Sequence, residues 1–321
     1  VNTSTDRHPL VSVIIPYYSQ SAYIAETIES VRRQTHPNIE LIVVDDGSAE
    51  DQQPALHAIK DLTVFRIPNS GPPAARNFGF AKSTGEYLVF LDADDVLVKD
   101  AIETNLRTLL ANPKAVMSFG AGEVIDSFGK VLIPSRVSFP RRNYFYMLLE
   151  TNPIWSPGAT IVQRAAFEKI GGFPDLRKFQ ADDYEFYLRL ARVGELCQHS
   201  DCVLQYRKHT TNMSGDKKRM LDATLETMDR INNEFDLSLF ERVQLWHGKM
   251  RWRHEFSQRT GFIAKLKSQY FRKVTLWNID VVHLVRVIGH RARARMRSRA
   301  DVGSRKLAHS RDSNKQAAIR R

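Results

Sequence analysis

Two cysteines, Cys197 and Cys202, are all that the 321 residues contain. So few exclude a disulfide framework, and a lone C-x4-C pair with no second pair is not a zinc site. The two read as reduced structural thiols, as in a cytosolic protein. Long apolar runs are missing too. No stretch reaches the ~18 apolar residues that a spanning helix needs. No apolar, leader-like run precedes Val11. No internal repeat is visible. A glycine-rich, basic triphosphate loop is also lacking: after the first hydrophobic run the chain reads PYYSQSAY, which argues against a nucleotidyltransferase.

The chain does have apolar content, 42% hydrophobic and 10% aromatic, enough for one substantial core and a smaller appendage. Its net charge of +11 is uneven. Residues 241–321 carry 21 basic and 5 acidic side chains, whereas residues 1–240 carry 26 and 31. An acidic-to-neutral body therefore bears a basic tail. Such a tail is either a solvated, partly disordered end or a contact for an anionic partner: a membrane surface, a nucleic acid or an acidic polymer.

Hydrophobic runs alternate with helical spacings. Residues 11–15, 39–44, 62–67 and 86–91 read as strands, the first ended by Pro16 because proline cannot continue a central ladder. Residues 22–34 read as a helix with Ala22, Ile24, Ile28 and Val31 on one face, and further helices are expected over 51–60, 74–83 and 99–111. A strand near 115–120, a strand-like Ala159–Gln163 and helices over 181–193, 217–235 and 237–259 follow. Strands apolar on both faces, alternating with helices, predict an open, mostly parallel sheet covered by helices. Ligands of such sheets bind beyond the carboxyl ends of the strands. Three polar clusters fall there: Pro16-Tyr17-Tyr18, Asp45-Asp46-Gly47-Ser48 and Asp92-Ala93-Asp94-Asp95.

The last cluster ends the run VFLDADD, residues 89–95. Carboxylates that close repel one another. In extended backbone Asp92 and Asp94 point the same way and could seat Mg2+ or Mn2+. Alternatively Asp94 or Asp95 caps the next turn. Asp45 and Asp46 are either turn formers or acceptors for a base N–H. Arg76, just inside the helix after Gly71-Pro72-Pro73, is either a phosphate contact or a surface ion pair. Asp182-Asp183 opens a helix, where a carboxylate is either a cap or a general base. His209, in Tyr206-Arg207-Lys208-His209, is either a metal ligand or a surface histidine.

Together these segments resemble a family 2 glycosyltransferase of the inverting, GT-A type. The matching stretches are VSVIIPYY (11–18), VVDDGS (43–48), GPPAARNFG (71–79), GEYLVFLDADD (85–95), GGF (171–173) and DDYEFYLRL (182–190). Their order and spacing also match, from residue 10 to about 215. The resemblance implies a GT-A, Rossmann-like α/β domain over 1–235; beyond it, helical spacing and charge alone give a helical extension over 236–290 and a basic, disordered tail over 291–321. It implies that Pro16 and Tyr18 frame a nucleobase pocket, that Asp46 binds the base with Asp45 beside it, and that Arg76 lies near the nucleotide. Asp92, Ala93 and Asp94 then form the DxD motif: Asp94 holds the metal, Asp92 faces ribose and metal, and His209 completes the shell around Mn2+ or Mg2+. Asp183 is the implied catalytic base. Two positions depart from the family pattern. Ser19 stands where asparagine is common, and Asp182 where glutamate is common; Asp183 aligns with the second residue of that pair. The implied donor is a nucleoside-diphosphate sugar, UDP by default, and the acceptor a glycan or lipid-linked hydroxyl in cell-surface polysaccharide or glycolipid synthesis. The rival reading is a non-catalytic nucleotide-sugar or polysaccharide-binding module on the same fold.

The resemblance does not reach residues 240–321. There Trp277, Val281, Leu284, Val285 and Ile288 share a helical face flanked by Arg272-Lys273 and by Arg291, Arg293, Arg295, Arg297 and Arg299. Such a segment, 272–299, suits the anionic inner face of a cell membrane, or packs on the body or a second subunit. Its arginines lack interleaved aromatics, which argues against nucleic acid.

Overall fold

The structure, a computed structural model, describes residues 8–49, 56, 58–135, 143–174, 181–210, 212 and 215–257. The expected segment 272–299 and the tail lie outside the described residues, as does most of the helix expected over 51–60. Among the described residues nine strands form one sheet in the order β3-β2-β1-β4-β8-β6-β9-β5, with β7 on β6. The strands are β1 (Val11–Tyr17), β2 (Ile39–Asp45), β3 (Thr63–Arg66), β4 (Tyr87–Phe90), β5 (Val96–Leu97), β6 (Ala115–Ile125), β7 (Val131–Ile133), β8 (Thr160–Gln163) and β9 (Glu195–Arg207). Helices α1 (Ile24–Arg32), α2 (Pro72–Lys82), α3 (Ala101–Leu110), α4 (Tyr144–Leu148), α5 (Arg164–Lys169), α6 (Asp182–Val193), α7 (Lys217–Glu234) and α8 (Leu239–Ser257) complete the description.

The block β3-β2-β1-β4 is parallel, as the alternating pattern predicts. Beyond β4 the sheet is mixed: β8 runs antiparallel to both β4 and β6, and β9 runs parallel to β6. Pro16 does not end β1, which continues to Tyr17 with Pro16 opposite Val44. The β4 ladder stops at Ile14–Phe90, and Ile14 C=O accepts from Leu91 N–H. Pro16 bonds on that same side, where β1 has already lost its neighbour, so the missing N–H costs nothing. Ala22 is exposed and precedes α1, whose buried side is Ile24, Thr27, Ile28, Ser30 and Val31.

Both faces of the parallel block are covered. Val11, Val13 and Ile15 pack with Ile24, Ile28, Ile102 and Leu106 of α1 and α3. Ile14, Leu88 and Phe90 pack with Phe167, Phe173, Phe186 and Leu190 on the other face. Strand period 2 sends alternate residues into two apolar layers, which fixes the register firmly. Phe90, Phe167, Phe173 and Phe186 make edge and stacked contacts at 4.3–6.1 Å under the end of β4. Asn77 of α2 brackets Phe173, donating from Nδ2 to its carbonyl and accepting its N–H at Oδ1, both at 2.9 Å. Gly172 makes that approach possible: its φ is +83°, and a Cβ would stand 2.6 Å from Asn77 Oδ1.

α8 shares this core through Leu245, and Leu237 just before it is buried there too. Gly248 sits against the backbone at Leu149, where a Cβ would run into the carbonyl oxygen. Gly248→Ala gains ~1 kcal/mol of helix propensity but must displace backbone, which costs ~1–3 kcal/mol. Urea denaturation of the variant should show net destabilisation; unchanged or higher stability would mean that α8 stands off the body.

Candidate active site

The three polar clusters do share the carboxyl rim. Asp45 Oδ1 accepts from Ser48 N–H, and its Oδ2 from Arg66 Nη1, both at 2.9 Å. Asp46 accepts from Ser70 N–H at 2.7 Å on one oxygen and from Gly71 N–H at 2.8 Å on the other. Burial raises its pKa against these two bonds, with Asp45 adding to the rise. Asp46 thus anchors the loop that enters α2. Gly47, at φ +75°, passes so close to Asn69 that a Cβ would meet its N at 2.7 Å. Pro16 is partly buried, Tyr18 is exposed, and Ser19, at φ +52°, donates its N–H to Ser48 Oγ at 3.0 Å.

Asp92–Asp95 is a turn and not extended backbone: β4 ends at Phe90, and Asp95 N–H donates to Asp92 C=O at 3.2 Å. The expected same-side projection therefore fails, but the turn keeps the carboxylates near one another. Burial and the Asp92 charge both raise the Asp94 pKa. Asp94 Oδ2 meets His209 Nε2 at 2.8 Å, and His209 stacks on Tyr23 at 5.0 Å. His209 is thus no surface residue, since its side chain is 5% exposed. Ala93 is buried, and its carbonyl accepts from Thr27 Oγ1 of α1 at 3.0 Å.

Asp95 does not cap the next helix. It is fully buried and accepts Arg207 N–H at 2.9 Å and Ser156 Oγ–H at 3.4 Å. Burial and its two neighbouring aspartates hold its pKa well above the ordinary range. Arg207, itself buried, donates from Nε to Asp94 C=O at 2.9 Å and from Nη2 to Glu26 at 2.7 Å, and lies over the Tyr23 ring at 5.0 Å. In the sequence Arg207 stands close to His209 with nothing local to mark this part. The signal available is the third carboxylate, Asp95, after Asp92 and Asp94, which a buried cation at a strand end can serve.

Arg76 is neither a surface ion pair nor an open anion site. Its side chain is 6% exposed and bonds Asp92 Oδ1 and Asp182 Oδ2, each at 2.6 Å. Burial opposes its charge, but Asp92 and Asp182 outweigh that and raise its pKa. One face of the guanidinium lies 5.1 Å from the Phe173 ring centre. Arg76 thereby ties the turn after β4 to the start of α6, 106 residues along the chain from it at Asp182. Burial raises the Asp182 pKa, with Arg76 pulling it back. Asp183 accepts Tyr184 N–H at 2.7 Å on Oδ1. Burial, and then the Asp182 charge, push its pKa up to about 7. Tyr187 OH and Arg76 Nε, both buried, have no hydrogen-bond partner here.

The site thus gathers Asp92, Asp94 and His209 at one end and Asp182 and Asp183 at the other, with Arg76 between. Removing that cation leaves buried carboxylates facing one another. Arg76→Met should lose about 3 kcal/mol of stability at pH 8, measured by denaturant unfolding. The deficit should shrink towards pH 5, because protonation relieves the repulsion.

The family model described as Glycosyl transferase family 2 matches residues 12–171. WfaP of Escherichia coli, a UDP-Glc:alpha-D-GlcNAc-diphosphoundecaprenol beta-1,3-glucosyltransferase, is 31% identical over 66% of this chain and 82% of its own. TuaG of Bacillus subtilis, named for teichuronic acid biosynthesis, is 38% identical over 66% of this chain and 84% of its own. The match spans only about a quarter of two uncharacterized Rickettsia glycosyltransferases, 25% in R. felis and 24% in R. bellii. Among solved structures, S. aureus TarS 1–349 with UDP-GlcNAc superposes with a TM-score of 0.61 at 22% identity, covering 78% of this chain and 74% of that one. The Pyrobaculum calidifontis mannosyltransferase PcManGT, in complex with GDP-Man and Mn2+, gives 0.55 at 18% identity, covering 84% and 81%. These neighbours have the GT-A fold that the sequence predicts. By the family-model match and its similarity to WfaP and TuaG, the chain belongs to glycosyl transferase family 2.

Proposed function

We propose that the protein transfers a sugar from a nucleoside-diphosphate sugar, UDP-linked by default, to a hydroxyl of a glycan or lipid-linked acceptor, with inversion. Residues 1–235 carry every group named, and α8 opens the helical extension from 236. The observation that carries the reading is the unequal treatment of two adjacent carboxylates. Asp182 is paired with Arg76, whereas Asp183 keeps an oxygen free of hydrogen bonds and a pKa of about 7. A general base works best with a pKa near the working pH.

In this reading Pro16 and Tyr18 frame the nucleobase, and Asp46 accepts its N–H. Each Asp46 oxygen holds one backbone N–H and so retains a lone pair for the base. Asp45 keeps the turn in shape. Asp92, Ala93 and Arg76 line the ribose and diphosphate side.

No group of three metal-holding side chains is preassembled among the described residues. The donor set nevertheless fits a hard divalent cation. Asp94 and His209 are already in contact, and Asp92 has one oxygen outside its bond to Arg76. Asp92, Asp94 and His209 would hold Mn2+ or Mg2+, and the ion, when bound, supplies positive charge to the departing diphosphate. Asp183 takes the proton of the acceptor hydroxyl as that oxygen bonds to the anomeric carbon. The bond from that carbon to the diphosphate oxygen breaks on the opposite face, so an α-linked donor gives a β-linked product.

WfaP's diphosphoundecaprenol acceptor and TuaG's teichuronic acid pathway support a role in cell-surface polysaccharide synthesis. We place the reaction in the cytoplasm, at the inner face of the membrane. Among the described residues no helix is long and apolar enough to cross a bilayer.

A screen of nucleotide sugars with Mn2+, read as nucleotide release and product linkage, tests the reading. Release from no donor would leave a binding module. Chelation with EDTA, or Asp94→Asn, should cut turnover by ~10²-fold or more while leaving the melting temperature near that of the parent; full activity without metal would remove the DxD assignment.

The base gives a pH signature. Asp183 must be ionised to act, so the rate should fall as pH drops through about 7. Asp183→Asn should lose ~10²–10⁴ in transfer with donor affinity unchanged. A carboxyl whose folded pKa is raised loses stability between its ordinary value of 3.8 and about 7 as pH rises. The asparagine variant should therefore gain stability relative to the parent at pH 8 but not at pH 4. An active Asp183→Asn with an inactive Asp182→Asn would reverse the pair.

A further inference from the structure

Five of the large apolar side chains left exposed among the described residues gather at one feature, the β6–β7 hairpin and its neighbour Trp155. Phe128 at the tip is 94% exposed, and Val131, Leu132 and Ile133 are 43–53% exposed. Trp155 lies on β6 at Gly122, where a Cβ would meet its indole at 3.0 Å, two residues from the Val124–Ile133 pair. A patch of this kind on a soluble surface marks a contact.

We propose that this hairpin docks on a lipid bilayer, tip first. The inference rests on the transferase reading only for its purpose, which is to bring the site to a lipid-linked acceptor. Three observations choose the occupant. First, consecutive strand residues point to opposite faces, and all three residues of β7 are exposed. A rigid protein surface would cover one face, whereas an acyl phase wets both. Second, the turn makes most of its N–H hydrogen bonds within itself. Asp126 N–H donates to Lys130 C=O at 2.9 Å, Gly129 N–H donates to Asp126 C=O at 3.1 Å, and Asp126 Oδ1 accepts the Phe128 and Lys130 N–H groups, each at 2.9 Å. A turn so bonded presents few unpaired N–H groups to the headgroup boundary where an interfacial segment rests. Lys130 can keep its ammonium among the headgroups. Third, β7 is only three residues long and is followed by Pro134, a poor edge for pairing with a second copy.

The hairpin is also wired to the site. Arg207 Nη1 donates to Asp126 C=O at 3.2 Å and to Ser127 C=O at 3.5 Å, while its Nε holds Asp94 C=O at 2.9 Å. One guanidinium therefore fixes the DxD backbone relative to the tip, so a docked tip sets the height of the carboxylates above the membrane.

The test uses the full chain and a reporter independent of turnover. An environment-sensitive fluorophore is attached at Leu132→Cys and, separately, at Leu110→Cys, a site of similar exposure on α3, at 54% against 51%. The unlabelled-site background of Cys197 and Cys202 is taken from the parent. Phosphatidylcholine vesicles carrying a nitroxide-lipid quencher are added at high salt, which screens the basic residues of 258–321. The label at 132 should shift to the blue and be quenched, and the label at 110 should not. Phe128→Ser combined with Leu132→Ser should weaken vesicle binding about tenfold while leaving donor hydrolysis unchanged. Equal responses at 132 and 110, or undiminished vesicle binding by the serine variant, would overturn the proposal. So would a vesicle-free dimer that the same serines dissociate, because a second copy would then own the patch. Docking through Leu132 by a protein that releases nucleotide from no donor would keep the hairpin assignment and remove the transferase reading.

Discussion

The shared guanidinium of Arg76 is the constraint on which the site depends. Asp92 and Asp182 come from segments 90 residues apart in the sequence, and each makes a 2.6 Å bond to the same buried cation. Without it the turn after β4 and the first turn of α6 would bring like charges together in a poorly solvated place. Burying the cation is costly on its own, and two carboxylates with a phenylalanine face offset that cost. Arg76 in turn depends on α2. Asp46 bonds the Ser70 and Gly71 N–H groups at the helix entry, and Gly79 lets α2 lie directly on Ile14 and Val44.

Arg207 is the counterpart on the other side of the same turn. It reaches Asp94 C=O, Glu26 and the 126–127 carbonyls, while its own N–H satisfies Asp95. The 92–95 turn is therefore held between two buried arginines, one brought by α2 and one by the end of β9. This arrangement explains how three acidic residues in four positions can close a buried strand. Asp92 is ion-paired, Asp94 is hydrogen-bonded to His209, and Asp95 is buried with its own donors. Each carboxylate has a separate partner, which offsets part of the repulsion among them.

The parallel block was legible because its strands are apolar on both faces and its helices keep a 3.6 period; those elements fall within about two residues of expectation. β9 was not legible. Its thirteen residues mix buried Leu196, Val203 and Leu204 with partly exposed polar positions, so neither alternation nor a continuous apolar run marks it. β5 and β7 are too short to carry any period. For the site, the rim clusters and the Asp182-Asp183 pair could be placed from sequence, since each follows a strand or opens a helix. The partners could not, because Arg76–Asp182 and Arg207–Asp95 span more than one hundred residues. The predicted geometry of Asp92 and Asp94 failed for a local reason: it needs extended backbone through Asp94, four residues past Phe90, where the β1–β4 ladder ends.

The last consequence concerns two adjacent aspartates with the same chemistry and different surroundings. Helix geometry separates their side chains by about 100° of rotation, so Asp182 turns to Arg76 while Asp183 does not. The paired carboxylate has a cation to favour its charge. The unpaired one has burial and a charged neighbour, both of which favour its proton. Arg76 therefore acts on Asp183 through two opposed routes. Directly, its positive charge lowers the Asp183 pKa. Indirectly, it favours the ionised form of Asp182, whose negative charge raises it. Asp182 is the immediate sequence neighbour and its effect is the larger of the two, so the net result is a carboxyl poised near neutrality. One ion pair thus holds two segments together and also adjusts the proton affinity that burial has already raised in the residue beside it.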